Sequence, residues 1–253
     1  MVQGFEGFKK WFAGYEEQFT IIGGTACDLL MSEVGQDFRA TRDIDIVLIL
    51  EAITPEFGTH FWNYIKTGEY VHLNKSTGEP QFYRFSNPDK SGFPVMIELF
   101  SRNVDGLILP SNAMLTPLHI DDETSSLSAI LLDINYYQFL KSGTILIDGV
   151  PLLDVEHIIP FKSKAWLDLY KRRVAGEHVD SRNMRKHKND LFRLSTLLNP
   201  ESKMKLPSSI MDDLNEFLVA MQNETVDTKN LGIVGQDKDA LIQIIADTYI
   251  YRE

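Results

Sequence analysis

The sequence predicts an α/β (α+β) protein, in which a mixed sheet with flanking helices is followed by a C-terminal helical domain. Helix-like and strand-like patterns alternate over the first two-fifths of the 253 residues. A hairpin pattern follows near residue 148, and the pattern is helical from Val155 onward. We therefore expect two domains, residues 1–140 and 141–253, and the hairpin fits either of them.

Short apolar segments and glycine-rich turns predict the elements of the first domain. The aromatic residues Phe5, Phe8, Phe12 and Tyr15 recur every three or four residues, which predicts a first helix. The remaining expected elements, in chain order, are strand Phe19–Ile22, helix Thr25–Val34, strand Ile44–Leu50, helix Thr54–Lys66 with Thr54 as N-cap, and strands Gln81–Phe85, Val95–Phe100 and Ser125–Leu132.

The second part of the chain begins with the hairpin. Thr144–Leu152 alternates apolar positions around an Asp148-Gly149 turn, a frequent hairpin signal. Helical periodicity then predicts helices over 155–173, 181–198, 208–222 and 236–252.

Composition excludes several classes of protein. With 15 phenylalanines, nine tyrosines and three tryptophans, the chain has enough apolar surface to exclude disorder as its main state. A single cysteine excludes a disulfide scaffold. No run of 18 apolar residues occurs, so no membrane span is expected. The first residues lack the order of a signal peptide, and we therefore expect a cytoplasmic location.

Charge is unevenly distributed along the chain. The formal net charge of −11 argues against a general nucleic-acid coat. The segment Lys162–Arg193, however, holds ten Lys or Arg and four Asp or Glu residues. It fits either a phosphate or nucleic-acid contact or a solvated helix face.

Two aspartates occupy a predicted buried strand. Asp43 and Asp45 are two residues apart, so both side chains leave the same face. Two carboxylates on one face repel and are costly to bury unless a cation lies between them. Their oxygen atoms suit Mg²⁺ or Mn²⁺, which predicts a divalent-metal site.

A diglycine bend precedes this strand. Strand Phe19–Ile22 runs through Gly23 and Gly24 into a helix that begins near Thr25. Such a bend exposes backbone N–H groups and the positive end of the helix dipole, which favours phosphate. The bend and the aspartate pair are each weak signals, but together they predict a phosphate cradle beside a metal site.

The motif Gly23-Gly24-Thr25-Ala26, followed by Arg39-x-Thr41-x-Asp43-Ile44-Asp45, resembles the nucleotidyltransferase superfamily, which has the DNA polymerase β-like fold. Within it, the sequence is most similar to the AbiEii-type branch, the toxin-like nucleotidyltransferases of toxin–antitoxin and abortive-infection systems. The resemblance is specific over about 25 residues. It implies a nucleotidyltransferase-type sheet, metal ions on Asp43 and Asp45, and nucleotide contacts from Gly23, Gly24, Thr25 and Thr41.

The resemblance also implies a third carboxylate on a later strand. Glu98 is the acidic residue of the apolar segment Val95–Phe100, where a lone glutamate is costly unless it meets a cation. Members of the superfamily more often have aspartate there. Two alternatives remain open. Glu98 fits an edge strand on which its side chain faces solvent, and Asp133 is the other candidate for the third carboxylate.

The basic segment matches a further element of the AbiEii-type branch. That branch carries a lysine-bearing helix and then a K-x-D-L-x-D element, which implies triphosphate binding by Lys162 and assistance in transfer by Lys188 and Asp190. Lys164 is the alternative first lysine. Arg193 stands where the final aspartate is expected, and Asp190 also fits a structural ion pair.

The sequence thus predicts a Mg²⁺- or Mn²⁺-dependent nucleotidyltransferase acting on a nucleoside triphosphate. The resemblance leaves the acceptor open among the 3′ end of RNA such as tRNA, a small molecule and a protein hydroxyl. It also implies an antitoxin protein as a further partner. The alternative is a non-catalytic nucleotide-binding or partner-binding protein on the same scaffold.

Overall fold

A computed structural model of the chain describes residues 2–70, 84–100, 130–131 and 133–251. The described residues form two compact units. Residues up to 100 belong to the first unit together with 144–154, and residues 130–143 belong to the second together with 155–251. The predicted boundary at residue 140 falls inside a helix of the second unit, and the hairpin belongs to the first.

The first unit is a six-stranded sheet with helices. Its elements are α1 Phe5–Trp11, β1 Phe19–Ile22, α2 Gly23–Glu33, β2 Asp43–Leu48, α3 Pro55–Gly68, β3 Arg84–Ser86, β4 Met96–Phe100, β5 Thr144–Ile147 and β6 Val150–Leu153.

The sheet is mixed, with strand order β3-β4-β2-β1-β6-β5. Strand β2 pairs antiparallel with β1 and parallel with β4, while β1 pairs parallel with β6. Strands β3 and β5 pair antiparallel with β4 and β6. The two halves of the predicted hairpin meet at Asp148 and Gly149, whose φ values of 50° and 75° are those of a type I′ turn. The expectation of a mixed α/β sheet with flanking helices is confirmed.

An aromatic core holds α1 and α3 together. The ring of Phe12 lies 6.0 Å from those of Phe57 and Phe61 and 5.2 Å from that of Tyr64. Helix α3 starts at the predicted cap, because the Thr54 hydroxyl accepts a hydrogen bond from the Phe57 N–H at 3.2 Å. Phe19 of β1 and Phe85 of β3 also contact rings of this aromatic layer, which therefore packs against one side of the sheet.

The second unit is mainly helical, as predicted. Its elements are α4 Ile134–Ser142, α5 Val155–Val174, α6 Ser181–Ser195, β7 Met204–Leu206, α7 Ser208–Gln222, α8 Lys238–Thr248 and β8 Tyr249–Tyr251. Strands β7 and β8 pair in parallel.

Three sequence-based expectations need correction or lie outside the described residues. The helix expected over 236–252 ends at Thr248, and the next three residues form β8. Ile130 and Leu131, expected in a strand, are helical, while the rest of Ser125–Leu132 lies outside the described residues. Residues 81–83 of the expected strand Gln81–Phe85 also lie outside them.

Within the part of the chain that the structure describes, no helix has the length and apolar character needed to cross a bilayer.

Candidate active site

Side chains of both charges form a row across three neighbouring strands of the sheet. Asp45 of β2 is paired with Glu98 of β4, and Glu98 is in turn paired with Arg84 of β3. Residues paired in this way project from the same face of a sheet. On the other side Asp45 is paired with Ile22, the last residue of β1 before the diglycine bend. The row therefore ends at the bend.

The carboxylate of Asp45 lies directly against the first glycine of the bend. Gly23 has a φ of 68°, and a Cβ atom there would lie 1.7 Å from Oδ2 of Asp45. Only glycine allows this approach, both because of its φ and because of the space. Asp45 as a residue is 8% exposed. A buried carboxylate thus sits at the first turn of α2, as the spacing of the two motifs predicts.

The second glycine gives room to the loop that precedes β2. A Cβ atom on Gly24 would lie 2.8 Å from the Thr41 hydroxyl and 3.3 Å from the Arg39 guanidinium. Both residues belong to the motif that precedes the aspartates. The loop therefore packs on the bend, and Arg39 brings a positive charge to it.

Two hydroxyl groups attach Asp43 to its surroundings. The Thr25 hydroxyl donates to the Asp43 carbonyl oxygen at 2.6 Å, which ties the start of α2 to β2. The Thr41 hydroxyl and the Arg42 N–H each donate to Oδ1 of Asp43 at 3.2 Å. The bonds to Oδ1 orient the carboxylate, and the Thr25 bond fixes the backbone that carries it, so Thr41 and Thr25 act as positioning residues in this arrangement.

Glu98 has a cationic partner that the sequence analysis missed. The Nε–H of Arg84 donates to Oε1 of Glu98 at 2.7 Å, and the two side chains are 22% and 13% exposed. A partial signal existed, since each of these residues is the charged one of its predicted strand. The register that brings them together is not visible in the sequence.

The register of the sheet brings Asp43, Asp45 and Glu98 to one face, but it does not bring the three carboxylates together as a set of metal ligands. Among the described residues, no three His, Cys, Asp or Glu side chains lie close enough to hold a metal ion. Asp133, the alternative third ligand, has a different role in the structure. It is the N-cap of α4, where Oδ1 accepts hydrogen bonds from the N–H groups of Asn135 and Tyr136 at 2.7 and 3.3 Å.

The predicted triphosphate residues of the basic segment lie in the second unit. Lys162 of α5 donates to Oδ2 of Asp190 of α6 at 2.9 Å, with the side chains 6% and 0% exposed. Lys188 donates to Oε2 of Glu224 at 2.5 Å and to the Thr225 carbonyl at 3.0 Å. All three predicted residues are engaged in buried or half-buried ion pairs of this unit.

The alternative lysine also belongs to a network of the helical unit. Lys164 donates to Oδ1 of Asp213 at 3.0 Å and lies 3.5 Å from Asp168. Burial opposes its charge, but the hydrogen bond to Asp213 and the charge of Asp168 outweigh it and raise the lysine pKa. Burial and the neighbouring Asp213 likewise raise the pKa of Tyr136, which donates to that carboxylate at 3.1 Å. Acidic side chains of the second unit thus offset the charges of Lys162, Lys164 and Lys188 within the basic segment.

Replacing Gly23 by alanine is expected to displace Asp45 and to destabilise the protein by about 2 kcal/mol, since backbone strain and a clash act together. The matched control is Gly35→Ala, because Gly35 has a φ of 70° and nothing within 4 Å of an added Cβ. The control measures the strain of a positive φ alone, about 1 kcal/mol. Urea unfolding of both variants measures the difference, and equal losses would show that the bend does not depend on contact with Asp45.

No family model matches this chain, and comparisons with curated proteins and with solved structures likewise find no significant match.

Proposed function

We propose that this chain is a metal-dependent nucleotidyltransferase, which moves a nucleoside monophosphate from a nucleoside triphosphate to an acceptor hydroxyl. The observation that carries the proposal is the packing of Asp45 against Gly23, with Glu98 at the paired position of the next strand. A triphosphate bound with a divalent cation needs carboxylates for the cation and N–H donors for the phosphates, and this arrangement supplies both.

The donor set fits Mg²⁺ or Mn²⁺. Asp43 and Asp45 share a face of β2, Asp45 is buried, and Glu98 lies beside it on β4. Carboxylate oxygens are the ligands that these hard cations prefer. Asp43 and Asp45 would hold the cation, and Glu98 would join them only after leaving its ion pair with Arg84. The cation would supply charge neutralisation for the triphosphate and the leaving pyrophosphate.

The bend would bind the β- and γ-phosphates. Ile22 is the N-cap of α2 and its side chain offers no acceptor for the first N–H groups of the helix. Those groups, together with the helix dipole, favour an anion at Gly23 and Gly24. The Thr25 hydroxyl is committed to the Asp43 carbonyl, so we assign it to positioning rather than to phosphate contact.

The transfer itself needs no covalent intermediate with the protein. The acceptor oxygen forms a bond to the α-phosphorus, the bond from that phosphorus to the bridging oxygen breaks, pyrophosphate leaves, and the hydroxyl proton is released to solvent. The contribution of the chain is to fix the two reacting groups in line and to exclude other orientations.

The test is thermal unfolding of the protein with each nucleoside triphosphate, with and without Mg²⁺. Binding to the folded state stabilises it by RT ln(1+[L]/Kd), about 2.7 kcal/mol at a ligand concentration of 100 Kd. We expect this stabilisation with Mg²⁺ and much less without it. Absence of a metal-dependent effect with every triphosphate would contradict the proposal.

Turnover is tested by incubating the protein with labelled triphosphates and three classes of acceptor: total RNA containing tRNA, a panel of small molecules such as aminoglycosides, and proteins including the chain itself. Label on one class identifies the acceptor. Asp45→Asn is the negative control for each.

A second candidate function is a non-catalytic nucleotide-binding or partner-binding protein on the same scaffold. The observation that favours it is the Arg84–Glu98 ion pair, which gives the third carboxylate a protein cation as its partner. This alternative predicts triphosphate binding that does not depend on Mg²⁺ and no labelled product with any acceptor. The two functions are thus separated by the metal dependence of binding.

A further inference from the structure

The charged row of the sheet contains a positive side chain next to the candidate metal ligands. Arg84, Glu98 and Asp45 occupy directly paired positions on β3, β4 and β2. The Nε atom of Arg84 lies 2.7 Å from Oε1 of Glu98, and both side chains are largely shielded from solvent. This is a charge-assisted hydrogen bond of normal length in a partly buried setting.

The two carboxylates of the row would repel each other without a counter-charge. Like charges at paired positions of neighbouring strands destabilise a sheet. Salt screens partly buried charges much less than exposed ones, so the repulsion between Asp45 and Glu98 persists in solution. The guanidinium of Arg84 offsets one of the two negative charges.

We infer that Arg84 is the built-in counter-cation of the metal site and sets its affinity for divalent ions. This inference rests on the proposed function. A divalent cation held by Asp45 and Glu98 competes with the guanidinium for the same carboxylate. Glu98 has to give up its hydrogen bond to Arg84 before it can bind the ion, so the ion pair opposes cation binding. Arg84 is therefore a positioning residue that keeps Glu98 paired until a cation takes its place.

The first experiment titrates Mg²⁺ and Mn²⁺ into the wild-type chain, Arg84→Gln and Arg84→Lys, and follows thermal unfolding and binding calorimetry without nucleotide. Arg84→Gln is expected to lower the cation concentration that gives half of the effect by about 3- to 10-fold. Arg84→Lys keeps the charge and should stay within about 2-fold of the wild type.

Two control variants separate a local effect from a change of net charge. Arg42→Gln removes one positive charge from an exposed side chain next to Asp43, and its cation titration should stay within about 2-fold of the wild type. Glu98→Gln removes the group for which the two cations compete. In the Glu98→Gln background, Arg84→Gln should then change the cation concentration that gives half of the effect by about 2-fold or less.

A measurement on the wild-type chain keeps the inference falsifiable if Arg84→Gln does not fold. The NMR resonance of the Arg84 Nε–H, assigned by its loss in Arg84→Lys, should shift as Mg²⁺ is added. The Mg²⁺ concentration at the midpoint of this shift should equal that at the midpoint of the thermal stabilisation. A resonance that stays unchanged while the cation stabilises the protein would overturn the inference.

The outcomes distinguish this inference from the proposed function. Suppose that cations stabilise the wild type but not Asp45→Asn, and that Arg84→Gln needs as much cation as the wild type, or more, for half of the effect. The counter-cation role of Arg84 is then wrong, and the proposed metal site stands. If neither the wild type nor Arg84→Gln responds to Mg²⁺ or Mn²⁺, both the metal site and the role of Arg84 are wrong.

Discussion

Asp45→Asn is expected to lower turnover by about 10²- to 10³-fold or more, the scale on which loss of one preorganised charge-stabilising group acts. It is also expected to abolish the Mg²⁺-dependent stabilisation by a nucleoside triphosphate. The physical reason is the position of Asp45, a residue that is 8% exposed and is the strand partner of Glu98, and whose carboxylate lies against Gly23. An amide in its place has nearly the same shape but cannot contribute a negative charge to a cation.

The fold should survive this change. Asparagine also removes the repulsion with Glu98, so the thermal midpoint of Asp45→Asn without metal should stay within about 4 °C of the wild type, a shift that corresponds to about 1 kcal/mol in a chain of this size. Asp43→Asn should lose the metal response as well. A folded Asp45→Asn variant that keeps the metal-dependent stabilisation would contradict the proposed site.

The third carboxylate can be identified by the same measurement. Glu98→Gln should reduce the metal response, because Glu98 lies on the row with Asp45. Asp133→Asn should leave both the metal response and the stability unchanged, because asparagine caps a helix as well as aspartate does and Asp133 serves as the N-cap of α4. The opposite result would return Asp133 to the metal site.

Local signals in the sequence were sufficient for much of the first unit. The apolar segment Phe19–Ile22 forms a strand with the predicted bounds, and Thr54 caps α3 as its position before Pro55 indicates. The spacing of two between Asp43 and Asp45 places both on one face of β2, as the period of a strand requires. These features depend on neighbouring residues alone, so a single sequence reveals them.

Features that depend on long-range pairing escaped the sequence. Tyr249–Tyr251 continues a helical periodicity but forms β8, because its β-branched and aromatic residues pair with Met204–Leu206, more than forty residues away. Helix α4 begins at Ile134, directly after the expected strand Ser125–Leu132, where no helix was predicted. The partner of Glu98 was invisible for the same reason, since Arg84 reaches it only through the register of β3 and β4.

The resemblance and the structure give the basic segment different partners. The resemblance implies a triphosphate contact for Lys162, whereas the structure buries this lysine in an ion pair with Asp190 that joins α5 to α6. A buried pair is poor evidence for stability by its mere presence, because desolvation opposes the attraction. The consequence of breaking it is nevertheless large.

Asp190→Asn is expected to lower the free energy of unfolding by about 3–5 kcal/mol, because it removes the charged carboxylate that lies 2.9 Å from the buried Lys162 ammonium. Lys162→Met should cost a similar amount, because it removes a cation from the side chain of Asp190, which is 0% exposed. The double variant Lys162→Met/Asp190→Leu replaces the pair by apolar groups and should recover most of the loss. Urea unfolding of the wild type, Lys162→Met, Asp190→Leu and the double variant closes the cycle and gives the coupling energy.

A second ion pair of the same helix provides the matched control. Lys171 of α5 lies 2.7 Å from Glu216 of α7, with the side chains 49% and 50% exposed. Because water and salt screen such a pair, Lys171→Met should change the free energy of unfolding by about 1 kcal/mol or less. A loss below 1 kcal/mol for Asp190→Asn would show that the buried pair is not structural. Thermal unfolding of the double variant with Mg²⁺ and triphosphate then separates a structural role of Lys162 from a role in triphosphate binding. If the pair is purely structural, the ligands should stabilise the double variant as much as the wild type. If Lys162 contacts the triphosphate, this stabilisation should be lost.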